Sequence, residues 1–182
     1  MSQAKQRSSE PLRHYRVLVA DDDERSLDCM VALLARDGFA IESFLGGRDA
    51  LVRLGLPGSV AFGRGPSTAI PETPLAPPAP AVRRPAIPAD LPPAAPEIDF
   101  LVLDYNMPDL TGIEVLERLR IGFGAPPPPA ILVSGESSRE LERSWLAVGG
   151  FALLPKPVMP DEFRREVRRL IRRYFGTRPS RG

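Results

Sequence analysis

Leu101-Val102-Leu103-Asp104-Tyr105-Asn106-Met107-Pro108 is an apolar run that stops at a carboxylate and then turns. A short run without polar alternation reads as a strand buried on both faces of a parallel sheet. Three other stretches share its design. Val17-Leu18-Val19-Ala20 stops at Asp21-Asp22-Asp23, Ile131-Leu132-Val133 stops at Ser134-Gly135, and a run closing on Leu154 is followed by Pro155-Lys156-Pro157. In open parallel sheets the ligand site lies outside the carboxyl ends of the strands. The carboxylates of Asp21, Asp22 and Asp104, one hydroxyl and one ammonium at such ends suit the holding of Mg²⁺ and a phosphoryl group.

Working outward, helical and extended patterns alternate. Arg16–Ala20 is the first strand. Asp23 or a neighbour is placed to cap the next helix, in which Leu27, Met30, Val31 and Leu34 keep helical spacing until Gly38. Ile41–Phe44 is a weaker strand, and a short helix near Arg48–Leu54 follows Gly46-Gly47. After Phe100–Leu103, a helical stripe carries Ile113, Leu116 and Leu119. Ala130–Val133 is the fourth strand, Ser138–Val148 a helix and Ala152–Leu154 the fifth strand. The last helix, near Asp161–Phe175, sets Phe163, Val167, Leu170, Ile171 and Tyr174 on one face. This alternation predicts parallel βαβ units with helices on both faces of the sheet.

Composition bounds the rest. A chain of 182 residues fits one domain with additions. The net charge of +1 argues for no particular partner and does not imply wholesale nucleic-acid binding. Cys29 stands alone, so no internal disulfide forms; that suits a reducing compartment, and the thiol reads as a small core residue. The start is polar, with no secretory leader expected. No run approaches the roughly 18 apolar residues of a membrane span. The expected location is therefore cytoplasmic, with no membrane partner.

Proline is the anomaly. Twelve of the 22 prolines fall between Pro57 and Pro96, amid Ala, Gly and Arg. Such a stretch buries too little surface to offset its ordering entropy. The expected organisation is a flexible tail at 1–14, a domain at 15–176 interrupted by a disordered Pro/Ala-rich insertion at about 55–97, and a tail at 177–182. Pro126 to Pro129 form a stiff connector. Both proline-rich segments join a helix to the next strand, so they belong at the edge away from the site. A longer loop there costs little extra.

If the first and third strands are neighbours, Asp21, Asp22 and Asp104 converge. Three close anions repel, and a hard cation taking oxygen ligands resolves the repulsion. Asp104 can then give one oxygen to the metal and use the other as a nucleophile toward phosphorus. Ser134 can donate to a phosphoryl oxygen and Lys156 can pair with another, or with Asp104 at rest. Taken singly, an Asp pair after a strand is a turn and a helix cap, and a lysine between prolines is a solvated side chain. The argument rests on all four pieces falling at successive strand ends.

The combination of strand-Asp21-Asp22, Leu103-Asp104-Tyr105-Asn106-Met107-Pro108 with Gly112, strand-Ser134-Gly135 and Lys156-Pro157 resembles the receiver domain of two-component response regulators, the chemotaxis-regulator type. The resemblance covers about residues 15–176. It implies a flavodoxin-like, doubly wound five-stranded parallel sheet of order 2-1-3-4-5. It implies Asp104 as phosphoacceptor, and Mg²⁺ (or Mn²⁺) held by Asp21, Asp22, Asp104 and the backbone carbonyl of Asn106. Ser134 becomes the switch hydroxyl, Lys156 the phosphate-pairing lysine and Lys156–Pro157 a cis peptide. Asn106 and Glu136 occupy positions that influence water access to the acyl phosphate. The family's switch aromatic is replaced by Leu153; Phe151, two residues earlier, is expected on the same face at another depth.

The function expected is that of a single-domain response regulator. It takes a phosphoryl group from a sensor histidine kinase or histidine phosphotransfer protein and signals to an unknown output protein by contact. It is not an enzyme beyond Mg-dependent self-phosphorylation and autodephosphorylation. Only about eight residues follow Tyr174, with no DNA-binding module, so no direct nucleic-acid contact is expected. The alternative is a phosphorylation-independent adaptor with the same fold. An aspartyl phosphatase like the haloacid dehalogenases fits less well, because Asn106 stands two residues after Asp104. A flavodoxin-like cofactor binder is open by fold alone, but in this chain no Gly-rich phosphate turn follows the first strand.

Lesser candidates have plain structural readings. Arg164, Arg165, Arg168, Arg169, Arg172 and Arg173 read as a solvated face, and more sharply as a dock for an acidic partner. Pro71 to Pro74 and Pro85 to Pro88 have polyproline-ligand spacing. His14 reads as a polar residue before the first strand, and Trp145 as helix packing.

Overall fold

The computed structural model describes residues 15–56, 98–122 and 126–176. The expectations for the 1–14 tail with His14, for residues 57–97 with their Pro-x-x-Pro spacings, and for the 177–182 tail lie outside them.

Among the described residues ten elements follow one another: β1 (Arg16–Ala20), α1 (Glu24–Arg36), β2 (Ala40–Phe44), α2 (Gly47–Arg53), β3 (Phe100–Asp104), α3 (Gly112–Gly122), β4 (Ala130–Ser134), α4 (Arg139–Ala147), β5 (Ala152–Pro155) and α5 (Pro160–Tyr174). The five strands form one parallel sheet in the order β2-β1-β3-β4-β5. Alternate residues of each strand face opposite sides. Val17, Val19, Phe100, Val102, Ile131 and Val133 pack with α1 and α5. Leu18, Ala20, Leu101, Leu103 and Leu132 pack with α2, α3 and α4. The fold is thus a doubly wound α/β sheet with both faces covered, and the central strands β3 and β4 are buried throughout.

Helix ends follow local chemistry. The Asp23 carboxylate accepts from the Arg25 and Ser26 amides and starts α1. Ser138 does the same for α4 through Leu141 N, at 3.1 Å. Thr111 and Glu114 exchange side chain-to-amide bonds at the start of α3, a capping box. Gly38, at φ 86°, ends α1 as the sequence suggests.

Four details differ from expectation. Cys29 is exposed, not a core residue. The inward face of α1 is set by Leu27, Met30, Leu33 and Leu34, and position 29 falls on the opposite side of the helix. Tyr174 is half exposed, although its ring meets Phe151 edge-on at 5.9 Å. Leu56 is folded against the core, its amide bonded to Leu51 O at 2.9 Å. Phe151 does not share the side of Leu153. It precedes β5, packs on the α1/α5 side and lies 4.9 Å beneath the Arg169 guanidinium, while Leu153 packs on the α2/α3/α4 side.

Candidate functional site

Strand register builds the site. Ala20 pairs with Leu103, so the residue that follows β1, Asp21, stands beside Asp104 at the end of β3. Asp104 pairs with Val133, which brings Ser134 alongside, and Ser134 pairs with Pro155, one residue before Lys156. The Lys156 amide donates to Ser134 O at 2.7 Å, and the Lys156–Pro157 peptide is cis.

The centre is an ammonium between two buried carboxylates. Lys156 Nζ lies 2.8 Å from Asp104 Oδ1 and 2.9 Å from Asp21 Oδ2. Asp21 has no exposed surface and Asp104 only 2%. Asp21 is fixed further: Oδ1 accepts from the Asp23 amide at 2.9 Å and Oδ2 from the Ser26 hydroxyl at 2.7 Å. Asp22 is exposed at the rim. Each of Asp21, Asp22 and Asp104 offers an oxygen within 4.8 Å of the others.

Burial pushes the Asp104 carboxyl above its ordinary value, against the hydrogen bond from Lys156, and the charges of Asp21 and Asp22 add to the rise. Burial works to lower the Lys156 ammonium, but hydrogen bonds and charge from Asp104 and Asp21 hold it above its usual value. One cation facing three carboxylates leaves negative charge uncompensated. That donor set, all hard oxygens, suits a divalent ion such as Mg²⁺.

The remaining expected residues ring this centre. Ser134 is buried, and its Oγ accepts from the Glu136 amide at 3.0 Å. Asn106 and Glu136 are exposed at the mouth. Leu153 is half-buried in β5. Gly112, quoted only as part of a motif, has a steric reason: a Cβ there would meet Asp104 O at 2.6 Å and Leu132 Cδ1 at 2.5 Å. Ser26 and Asp109 were not foreseen from sequence. A serine in a helix's first turn is the one signal that pointed to Ser26.

The lesser candidates lie elsewhere. Trp145 is fully buried, donating from Nε1 to Ala152 O at 2.9 Å, as helix packing requires. On α5, Arg164 pairs with Asp37 and Arg169 with Glu166, while Arg165 reaches Glu162 and Glu166. No helix among the described residues is long and apolar enough to cross a membrane.

Comparison with known proteins gives one answer. Residues 92–168 match the family model described as the response regulator receiver domain. The two-component response regulator ORR3 of Oryza sativa is 32% identical over 74 residues, 41% of this chain and 56% of the relative. Chemotaxis protein CheY of Pseudomonas aeruginosa is 30% identical over 80 residues, 43% of this chain and 63% of the relative. The chain spans little more than half the length of these relatives. Among solved structures, the receiver domain of Francisella response regulator 1452 is similar with a TM-score of 0.61 at 23% identity, covering 88% of this chain and 98% of that one. The CheX–CheY–BeF3–Mg²⁺ complex of Borrelia burgdorferi is similar at 0.60 and 17%, covering 86% and 89%. The family match begins after β1, whereas the likeness of fold takes in most of the chain.

Proposed function

We propose that the chain works as a response regulator receiver domain, the family its residues 92–168 match, and that Asp104 accepts a phosphoryl group from a phosphohistidine donor in a Mg²⁺-dependent reaction. The observation carrying this reading is the Lys156 ammonium bridging the buried carboxylates of Asp104 and Asp21, with Asp22 at the rim. Burying like charges together is costly, and such groups gather at functional sites. The Borrelia burgdorferi complex of the same fold, which contains BeF3 and Mg²⁺, lends support.

Asp21, Asp22, Asp104 and the backbone carbonyl of Asn106 would hold Mg²⁺, or Mn²⁺ in its place, and the ion would neutralise charge on the group in transfer. An Asp104 oxygen attacks the phosphorus atom and forms an acyl phosphate. The P–N bond to the donor imidazole breaks, and the imidazole leaves with the bonding pair and takes a proton from water. Lys156, already within hydrogen-bond reach of Asp104, exchanges a carboxylate oxygen for a phosphoryl oxygen. Ser134 Oγ accepts from the Glu136 amide, which leaves its own hydrogen free to donate to the new group. Asn106 and Glu136 at the mouth govern how water reaches the acyl phosphate, and so its lifetime.

The message is a shift between two arrangements of the domain, read by an output protein through contact. The donor is a sensor histidine kinase or a histidine phosphotransfer protein. Phe151 is pinned between Tyr174 and Arg169 on the far side of the sheet from Leu153, so this switch runs without an aromatic at position 153. Acetyl phosphate with Mg²⁺ is expected to add one phosphoryl mass to the protein, and Asp104→Asn to abolish it. A label that survives Asp104→Asn, or none on the wild type, overturns the reading.

A further inference from the structure

Asp109 belongs to the loop between β3 and α3, yet its carboxylate serves another element. Oδ1 accepts from the Gly47 amide at 3.1 Å and Oδ2 from the Arg48 amide at 2.8 Å, the first two residues of α2. Oδ1 also accepts from its own neighbour, Leu110 N, at 2.8 Å. Helix starts leave amides without intrahelical partners. Gly46, at the N-cap, has no side chain to serve them. Asp109 does so from across 61 and 62 residues of sequence, and its charge suits the positive end of the helix.

The two elements also touch closely. A Cβ on Gly46 would lie 3.1 Å from Asp109 Oδ2, and one on Gly47 would lie 2.8 Å from Val115 Cγ2 and 3.2 Å from Met107 Cε. Two glycines therefore let the start of α2 rest on the loop that carries Asn106 and Met107. Covalent connection does little to hold that contact. In sequence, α2 and β3 are separated by residues 57–97, and the cost of closing a chain grows only slowly with its length. The Asp109 carboxylate crosses the gap directly.

We propose that Asp109 is a positioning residue for the phosphoacceptor site: it clamps the loop after β3 to the start of α2 and so fixes the Asn106 carbonyl toward the metal position. The proposal rests on the reading of Asp104 as a metal-assisted phosphoacceptor. A side chain that orients a ligand without touching the ion commonly changes metal affinity by tenfold or more.

The test compares Asp109→Ala, Asp109→Asn and Ser138→Ala, the last removing a side-chain cap from a different helix, α4. Mg²⁺ affinity is read by calorimetry and backbone mobility by hydrogen exchange, both on the full chain. Asp109→Ala is expected to weaken Mg²⁺ binding about tenfold and to speed exchange across Asn106–Leu110. Asp109→Asn keeps one carbonyl oxygen and is expected to fall between. Ser138→Ala is expected to lower the melting temperature while leaving Mg²⁺ affinity unchanged. If Asp109→Ala matches a Mg²⁺-binding wild type in both affinity and exchange, the clamp is overturned. An equal loss of affinity in Ser138→Ala also overturns it, because the effect is then general destabilisation. A wild type that binds no Mg²⁺ removes the site reading itself, and the clamp with it.

Discussion

At their carboxyl ends β1, β3 and β4 lead into Asp21, Asp104 and Ser134, where Lys156 touches two carboxylates and Gly112 has no room for a methyl group. At the amino ends of the same sheet, β3 is entered after residues 57–97 and β4 through Pro126 to Pro129. There Pro129 O simply continues the ladder, accepting from Leu101 N at 2.9 Å. The difference is physical. Charge at one end has to be matched atom by atom in a dry setting. The other end asks only that each strand be entered at the right register, and loop length enters the free energy as a slow logarithm.

The sharpest way to break this contrast is Gly112→Ala. Its methyl would collide with the Asp104 carbonyl, so the loop or β3 must move. We expect a loss of about 1–3 kcal/mol, read by urea denaturation, together with slower labelling by acetyl phosphate. Full stability with normal labelling would show that the carboxyl end is softer than described.

A middle-sized effect concerns charge. A carboxyl whose folded pKa lies above its unfolded value binds its proton more tightly when folded, so stability falls as pH rises through that interval. Asp104 is such a group: burial raises its pKa above the ordinary carboxylate value of 3.8. Without Mg²⁺, Asp104→Asn is expected to melt higher than wild type near neutral pH, and the gap to shrink as pH falls toward 3.8. Equal melting curves at both pH values would count against a charge-strained site. Added Mg²⁺ should raise the wild-type melting temperature more than that of Asp104→Asn.

The smallest effect is expected at the opposite edge. Replacing residues 58–96 by a flexible linker of about eight residues shortens the closing loop by roughly two doublings, worth about 1 kcal/mol. Labelling at Asp104 should keep its rate. A large loss of stability or of labelling would give that segment a task at the amino ends.

Most of the fold was legible because buried parallel strands announce themselves as short apolar runs. β1, β3 and β4 were read within a residue of their ends, and the polar residues closing each run marked the site edge. Legibility failed where the deciding partner lies far away in sequence. Asp109 looks like any turn acid until α2 is placed on it. Leu33 joins the inward stripe of α1 and Cys29 stays outside it, because a helix's inward stripe depends on what it meets. Phe151 and Leu153, two apart, would share a side if both lay in a regular strand, but β5 begins only at Ala152. The family match, confined to residues 92–168, shows the same limit: Asp21 and Asp22 join the site through strand pairing, not through sequence nearby.

Trp145, the chain's one tryptophan, lies wholly inside against Gly150, whose missing Cβ leaves its indole 2.1 Å from where that atom would stand. Its fluorescence therefore reports how α4 packs against the sheet and the turn into β5. A blue emission that shifts red on adding a phosphodonor would record that turn opening, with no dye attached. An unmoved spectrum would mean the signal leaves by another route.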